Sequence, residues 1–450
     1  MIDRRLDKII ENHYAHSKSA LLLTGARQVG KTIAIRRYAQ RAKMNLLEIN
    51  FHEDKEAYRI FEGAKNAEEV LFRMSAYYNK TLQKGKTLIF FDEVQKYAEV
   101  VTWIKFLVDE GSFRYALSGS LLGVTLQDVR SVPVGYMAVE DVYPLDLREF
   151  AEALGVSEEV LSSIEKAWNE HTPVDEVVHE SMLRIVTLYL LIGGMPAAVQ
   201  TYLDTNDMHA VRKKQEEILT LYHWDIAQYD PDNKLYIDEI FSLIPSELNA
   251  KNKRFILKDM NEHRQFNRME NGFIWLKDAG VALPTYNVSE PVTPLKLSEQ
   301  RSLFKLFQND VGLLAAQYAD GIALQMLSGE VNINCGAIYE NLVAQELMAH
   351  GWDLRYFNSK KQGELDFVLE QDDEIIPLEV KSGKDYQRHS ALSNVMKNKD
   401  YGIGRAIVLS NKNVSVKERT LYAPIYMTMF LRKRVSEEPL IYKVDMKGLK

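Results

Sequence analysis

Two groups of residues in this 450-residue chain have the types and spacing to do chemistry. The first is Gly25-Ala26-Arg27-Gln28-Val29-Gly30-Lys31-Thr32, which follows the apolar run Leu21-Leu22-Leu23 and precedes a helical pattern. This is the G-x-x-x-x-G-K-[ST] spacing in its required strand–loop–helix context. Glycines let backbone N–H groups wrap around phosphate oxygens, and the helix N-terminus behind them favours anions. Lys31 then reaches the β- and γ-phosphates and Thr32 ligates Mg²⁺, so Gly25 to Thr32 are candidate ATP contacts. Downstream, the apolar strand Leu88-Ile89-Phe90-Phe91 delivers Asp92 and Glu93. Asp92 is expected to hold Mg²⁺ through water and Glu93 to polarise the attacking water, which implies hydrolysis rather than binding alone. Tyr115-Ala116-Leu117 ends in Ser118, read either as a γ-phosphate sensor or as a helix-cap or turn serine.

The second group is Gly363-Glu364-Leu365-Asp366 followed by Ile376-Pro377-Leu378-Glu379-Val380-Lys381. A strand period of two places Glu379 and Lys381 on one face. Asp366 and Glu379 on adjacent strands, with Glu340 on a preceding helix, suit a second Mg²⁺ or Mn²⁺. Lys381 suits orienting a water or stabilising the charged transition state of phosphodiester hydrolysis. The same pattern also fits a solvent-facing charge ladder. Glu364 is expected at the surface, with Asp366 as the acid of choice.

These residues need elements to position them. Ala20–Leu23, Leu46–Ile49, Thr87–Phe91, Tyr115–Leu117 and Tyr136–Val139 read as buried strands alternating with helices, hence an α/β parallel sheet over residues 1–155. Residues 156–230 read as a helical lid. Residues 231–308, with strands at Val281–Val288 and Ser302–Phe307 after short helices, read as a winged helix. The remaining 309–450 open with the helix Ile338–Met348 and alternate strands with turns, a separate α/β domain. Asn249-Ala-Lys251-Asn-Lys253-Arg254 with Lys258, His263, Arg264 and Arg268 is a basic run suited either to DNA phosphates or to a solvated or domain-facing surface.

The P-loop, the Asp92-Glu93 strand and Leu117-Ser118-Gly119-Ser120 together resemble the AAA-type P-loop ATPases of the AAA_14/DUF4143 family. Pro144-Leu-Asp-Leu-Arg-Glu149-Phe150, Gly193-Gly194-Met195-Pro196 and Phe304-Lys-Leu-Phe-Gln-Asn-Asp310-Val-Gly-Leu-Leu314 resemble further elements of that family. The resemblance implies Pro196 as a contact of the nucleotide base, and the same Gly-Gly-x-Pro residues also fit a plain helix-breaking turn. The C-terminal acids resemble the PD-(D/E)xK nuclease fold, although the leading Pro-Asp of that signature is absent. Arg130 and Arg148, between the sensor strand and the lid, are arginine-finger candidates or ordinary surface arginines.

Composition bounds the partners. Hydrophobic residues at 46% and charged residues at 26% describe an ordinary globular chain with ample core, and at about 150 residues per domain the length predicts roughly three domains with separate cores. A single cysteine, Cys335, excludes an internal disulfide and a Cys-rich zinc site. There is no long apolar run, so a cytoplasmic location and no membrane partner are expected. A net charge of −7 confines any DNA contact to a local patch. Three readings follow: an ATP-driven enzyme gating a metal-dependent nuclease, a nucleotide-controlled switch or scaffold whose C-terminal domain only binds DNA or protein, and a ring-forming homo-oligomeric motor.

Overall fold

The structure, a computed structural model, describes residues 2–120, 135–229, 234–250, 255–256, 272–318, 325, 336–383 and 385–434. Arg130, Cys335 and Lys251, Lys253, Arg254, Lys258, His263, Arg264 and Arg268 of the basic run lie outside these residues.

The five strands expected at the N-terminal end form one parallel sheet: β1 (Ala20–Thr24), β2 (Asn45–Asn50), β3 (Thr87–Asp92), β4 (Arg114–Ser118) and β5 (Met137–Asp141), in the order β2-β3-β4-β1-β5. Both faces of the central strands are covered, which is why β1, β3 and β4 read as continuous apolar runs; β5, expected to be buried, lies at the sheet edge with Val139 exposed. Leu21, Leu23, Leu88 and Phe90 face one hydrophobic cluster, while Ala20, Leu22, Ile89 and Phe91 face the other, as the period of two requires. β4 lies between β1 and β3, so its C-terminal end meets the ends of both motif-bearing strands.

The expected helical stretch consists of helices Glu158–Glu170, Glu176–Ile192, Pro196–Thr205 and Met208–Tyr229. Among the described residues no single helix is long and apolar enough to cross a membrane.

Beyond them, a helix at 272–278 leads into the antiparallel ribbon β7 (Ala282–Val288) and β8 (Glu299–Gln308), and β6 (Phe255–Ile256) pairs with β8. The ribbon does not stand alone. β9 (Arg355–Ser359) pairs parallel with β7, and β10 (Gly363–Leu365) extends the sheet to the order β10-β9-β7-β8-β6. The boundary expected at 308/309 is therefore crossed by a sheet. A third sheet, β11-β12-β13-β15-β14, takes β11 (Phe367–Gln371), β12 (Glu374–Lys381), β13 (Ala406–Ser410), β14 (Ser415–Lys417) and β15 (Thr420–Pro424). Asp366 lies between β10 and β11, which belong to different sheets.

The expectation of separate cores also fails. One buried cluster runs from Leu6 and Leu21 through Ile192 and Leu306 to Leu342, Leu378 and Leu431, crossing each expected boundary. Its hinge is the Gly336–Ala349 helix, buried on nearly every side, with Asn341, Gln345 and Glu346 receiving the backbone amides of Gln308, Val311 and Leu147. Burial of these polar groups is tolerated because each is hydrogen-bonded.

Candidate functional site

The nucleotide-type site is assembled where β1, β3 and β4 end. After β1 the chain turns through Gly25 at φ +126°, where an added Cβ would meet the Val142 carbonyl oxygen at 2.3 Å, so only glycine fits. Gly30 at φ +99° caps the helix Lys31–Arg41. Lys31 is buried and donates to the carbonyls of Gly25 (2.9 Å) and Ala26 (2.7 Å), folded back across the loop. Burial lowers its pKa to about 8 against the opposing charges of Glu93 and Asp92.

Asp92 is the hub. Thr32 Oγ1 lies 3.2 Å from both carboxylate oxygens, Asn50 donates from the neighbouring end of β2 at 3.1 Å, and the Ser118 hydroxyl donates to Oδ1. Burial raises the Asp92 pKa even so. Glu93 follows in a left-handed conformation, φ +55°, rare for a residue with a side chain and a form of strain that clusters at active sites. Its carboxylate accepts from Gln95, whose amide also reaches Ser120 at 3.1 Å.

A cleft of about 450 Å³ opens over this loop, lined by Arg27, Gln28, Lys31, Thr32 and Glu93 on the polar side and by Ile2, Leu145 and Pro196 on the apolar side. Such a polar end and apolar wall match a triphosphate joined to a base. Thr32 and Asp92 also fit the Mg²⁺ that would accompany ATP, since the Thr32 hydroxyl and the Asp92 carboxylate already stand within 3.2 Å of each other. Of the sequence-derived residues, Lys31, Thr32, Glu93 and Pro196 line one cleft, and Asp92 and Ser118 stand behind it, Asp92 bonded to Thr32 and Ser118 to Asp92. Arg148 does not join them; it is held by Glu152, Glu158 and Glu165.

Asn50, Gln95 and Arg4 escaped sequence reasoning. Arg4 donates to the carbonyls of Val29 (3.0 Å) and Tyr143 (2.9 Å) and pairs with Glu149 at 3.1 Å, bracing the P-loop against the Pro144–Phe150 element. Glu149 in turn closes a capping box with Asp146 on the helix Leu147–Ala153.

The second group of acids comes together differently from the expectation. Lys381 Nζ is 2.6 Å from Glu379 Oε2, and Asp366 accepts the Val380 amide at 2.8 Å. Burial, then the charge of Asp366, pushes Glu379 up to about 8. Glu340 is 3% exposed. Glu364, expected at the surface, instead pairs at 2.7 Å with Lys305, a fully buried residue that sequence reasoning passed over. Burial works to lower the Lys305 pKa, yet Glu340, Glu364 and Asp366 outweigh it and hold the ammonium above the ordinary lysine range. Its one legible signal was a lone charge inside the apolar run Leu303-Phe304-Lys305-Leu306-Phe307. The expected metal set Glu340, Asp366 and Glu379 does not fit a metal in this arrangement, because two ammonium groups stand among those carboxylates: Lys305 3.9 Å from Glu340 and Lys381 2.6 Å from Glu379.

The family match agrees with this geometry at the N-terminal site. An AAA domain family (AAA_14) matches residues 17–151, a domain of unknown function (DUF8612) matches 184–323, and another (DUF4143) matches 335–428. The chain is similar in structure to a Walker-type ATPase of Pyrococcus abyssi, at 13% identity and TM-score 0.41 over 70% of this chain and 96% of that one. It is similar also to RuvB of Thermotoga maritima (12%, TM-score 0.31, covering 65% and 91%) and to Cdc6p of Pyrobaculum aerophilum (12%, TM-score 0.25, covering 73% and 93%). No curated protein matches the chain.

Proposed function

We propose that this chain, which carries an AAA-type P-loop ATPase domain and a DUF4143 domain, is a nucleotide-controlled switch: it hydrolyses ATP and passes its nucleotide state to the C-terminal half. The observation that supports hydrolysis is the convergence of Lys31, Thr32, Asp92 and Glu93 at the ends of β1 and β3, which flank β4. ATP phosphates draw the Lys31 ammonium away from the carbonyls of Gly25 and Ala26, and backbone amides of the loop take the β-phosphate oxygens. Thr32, with Asp92 behind it, would hold the Mg²⁺ bound with ATP, which would supply neutralisation of the charge that develops on the phosphates. Glu93 accepts the proton of the attacking water, and the Gln95 amide holds its carboxylate in place until then.

The switch reading is favoured over a gated nuclease by the ammonium groups lodged among the C-terminal acids. Contact with DNA through the basic run between Asn249 and Arg268 is supported by charge alone, and self-assembly by the resemblance alone.

Steady-state ATP turnover of the full chain with Mg²⁺ tests the reading. Glu93→Gln is expected to keep ATP binding and to lose about 100-fold or more of the rate, while Lys31→Ala loses binding. Turnover unchanged in both variants would sink it. Fluorescence anisotropy with labelled duplex DNA, with and without ATP, separates a DNA output from a protein output.

A further inference from the structure

Lys305 sits in mid-strand on β8, opposite Thr285 of β7. The period of two places it with Phe307 on one face, and Phe307 packs against Phe367 of β11 with ring centroids 5.8 Å apart. That face therefore looks into the seam between the second and third sheets. There the lysine is 0% exposed, with Nζ 2.7 Å from Glu364 Oε1, 3.9 Å from Glu340 Oε2 and 4.9 Å from the centre of the Tyr356 ring.

Three segments distant in sequence thus aim carboxylates or a π-face at one ammonium: the Gly336–Ala349 helix, β9 and β10. Nearby on β12, Glu379 is engaged by a second ammonium, that of Lys381, and Asp366 by the Val380 amide. Mg²⁺ or Mn²⁺ requires oxygens at about 2.0–2.2 Å in a near-octahedral shell. A metal among these acids would press against Lys305, whose full burial leaves the repulsion weakly screened, and would have to displace Lys381 from Glu379.

We infer that Lys305 is the built-in cation of this acidic cluster: it takes the place a divalent metal would hold, so that Glu340, Glu364 and Asp366 lock β8 to the C-terminal half, with Glu379 held by Lys381, instead of forming a metal-dependent phosphodiesterase centre. The fold keeps the acids of the nuclease-like pattern while the chain itself supplies their counter-charge. A buried ammonium paired in this way belongs to one packing only, which ties the ribbon, the Gly336–Ala349 helix and β10 into a single arrangement.

The inference is independent of ATP hydrolysis, so its test is run without nucleotide. Mn²⁺ uptake by the full chain, read from the free-ion paramagnetic resonance signal, is compared for wild type, Glu379→Gln, Lys305→Met and the double variant. Wild type and Glu379→Gln are expected to take up the same amount of Mn²⁺. Lys305→Met is expected to bind one additional Mn²⁺ per chain, at least tenfold tighter than any uptake by wild type at these acids, and the double variant is expected to lose it. A Mn²⁺ bound by wild type and lost in Glu379→Gln overturns the inference, as does a Lys305→Met chain folded by circular dichroism that gains no Mn²⁺. Should Lys305→Met not fold, the comparison of wild type with Glu379→Gln decides alone, since both retain the lysine.

Discussion

The carboxylate of Asp310 accepts the amide hydrogen of Gly194 at 2.6 Å, across 116 residues of sequence. The same carboxylate caps the helix Val311–Ala316 through Leu313 N at 2.9 Å, and an added Cβ on Gly193 would meet its Oδ1 at 2.0 Å. Two residues on, Pro196 lines the nucleotide cleft. Leu145, also in the cleft wall, donates its amide to the Gly194 carbonyl at 2.7 Å. One turn therefore touches the nucleotide pocket on one side and the first helix of the C-terminal half on the other, a short mechanical route for the proposed switch.

Replacing Asp310 by alanine removes the acceptor of buried amides, those of Gly194 and Leu313 foremost. Unfolding by urea is expected to show a loss of about 2–4 kcal/mol, most of it the cost of leaving Gly194 N and Leu313 N unpaired. Asp310→Asn keeps one acceptor and is expected to lose less. Burial pushes the Asp310 pKa up to about 6 from its ordinary value. A carboxyl raised in the folded state contributes stability that is present below its unfolded pKa and lost as pH rises through about 6, so the wild-type chain sheds that contribution between about pH 4 and pH 6 whereas Asp310→Asn does not.

Gly194→Ala tests the turn by sterics alone. Its Cβ would fall 2.0 Å from the Leu145 carbonyl oxygen and 2.8 Å from the Leu145 amide nitrogen, both backbone atoms that cannot rotate away. A fall in stability of about 2–3 kcal/mol is expected by thermal unfolding, together with weaker ATP binding by titration calorimetry because Leu145 and Pro196 shift with the turn.

Lys31 makes ATP affinity depend on pH. The free chain holds its amine at about 8, and phosphate binding requires the ammonium. As pH rises through 8 the free chain loses that proton and must regain it to bind. The apparent Kd for ATP is expected to be flat below pH 7.5 and to weaken above pH 8 by up to about tenfold per pH unit. Lys31→Arg, always charged, should abolish that slope whatever its affinity.

Arg4 is expected to matter to both stability and binding. Arg4→Ala strips Glu149 of its ionic partner in a region where both side chains are 9% exposed, and unpins the Val29 carbonyl of the P-loop. Loss of one partner of such a pair costs about 3 kcal/mol in urea unfolding, and ATP affinity falls with the loosened loop. Arg4→Lys keeps the charge without the three-way fork and should recover part of the stability only.

Much of the nucleotide site was legible in the sequence because its signals are local. The apolar run of β1, the glycine spacing and the helix from Lys31 are contiguous, and backbone conformation and helix start are decided within a few residues of each other. The strands carrying Asp92 and Ser118 announced themselves as apolar runs for the same reason. Their meeting did not: Ser118 and Asn50 reach Asp92 only because β4 and β2 flank β3, a strand order that no periodicity encodes.

The C-terminal half shows the other limit. A period of two placed Glu379 and Lys381 on one face, yet nothing in that pattern told that Glu364 would turn toward Lys305, or that β9 and β10 would join the ribbon expected as a free wing. The amino-acid order thus determined the elements, the phosphate loop and the residue types at each strand end. Tertiary structure decided which charges share a buried space, because a buried ammonium or carboxylate is tolerated only where distant segments bring it an opposite charge, and those encounters are set by sheet order and packing.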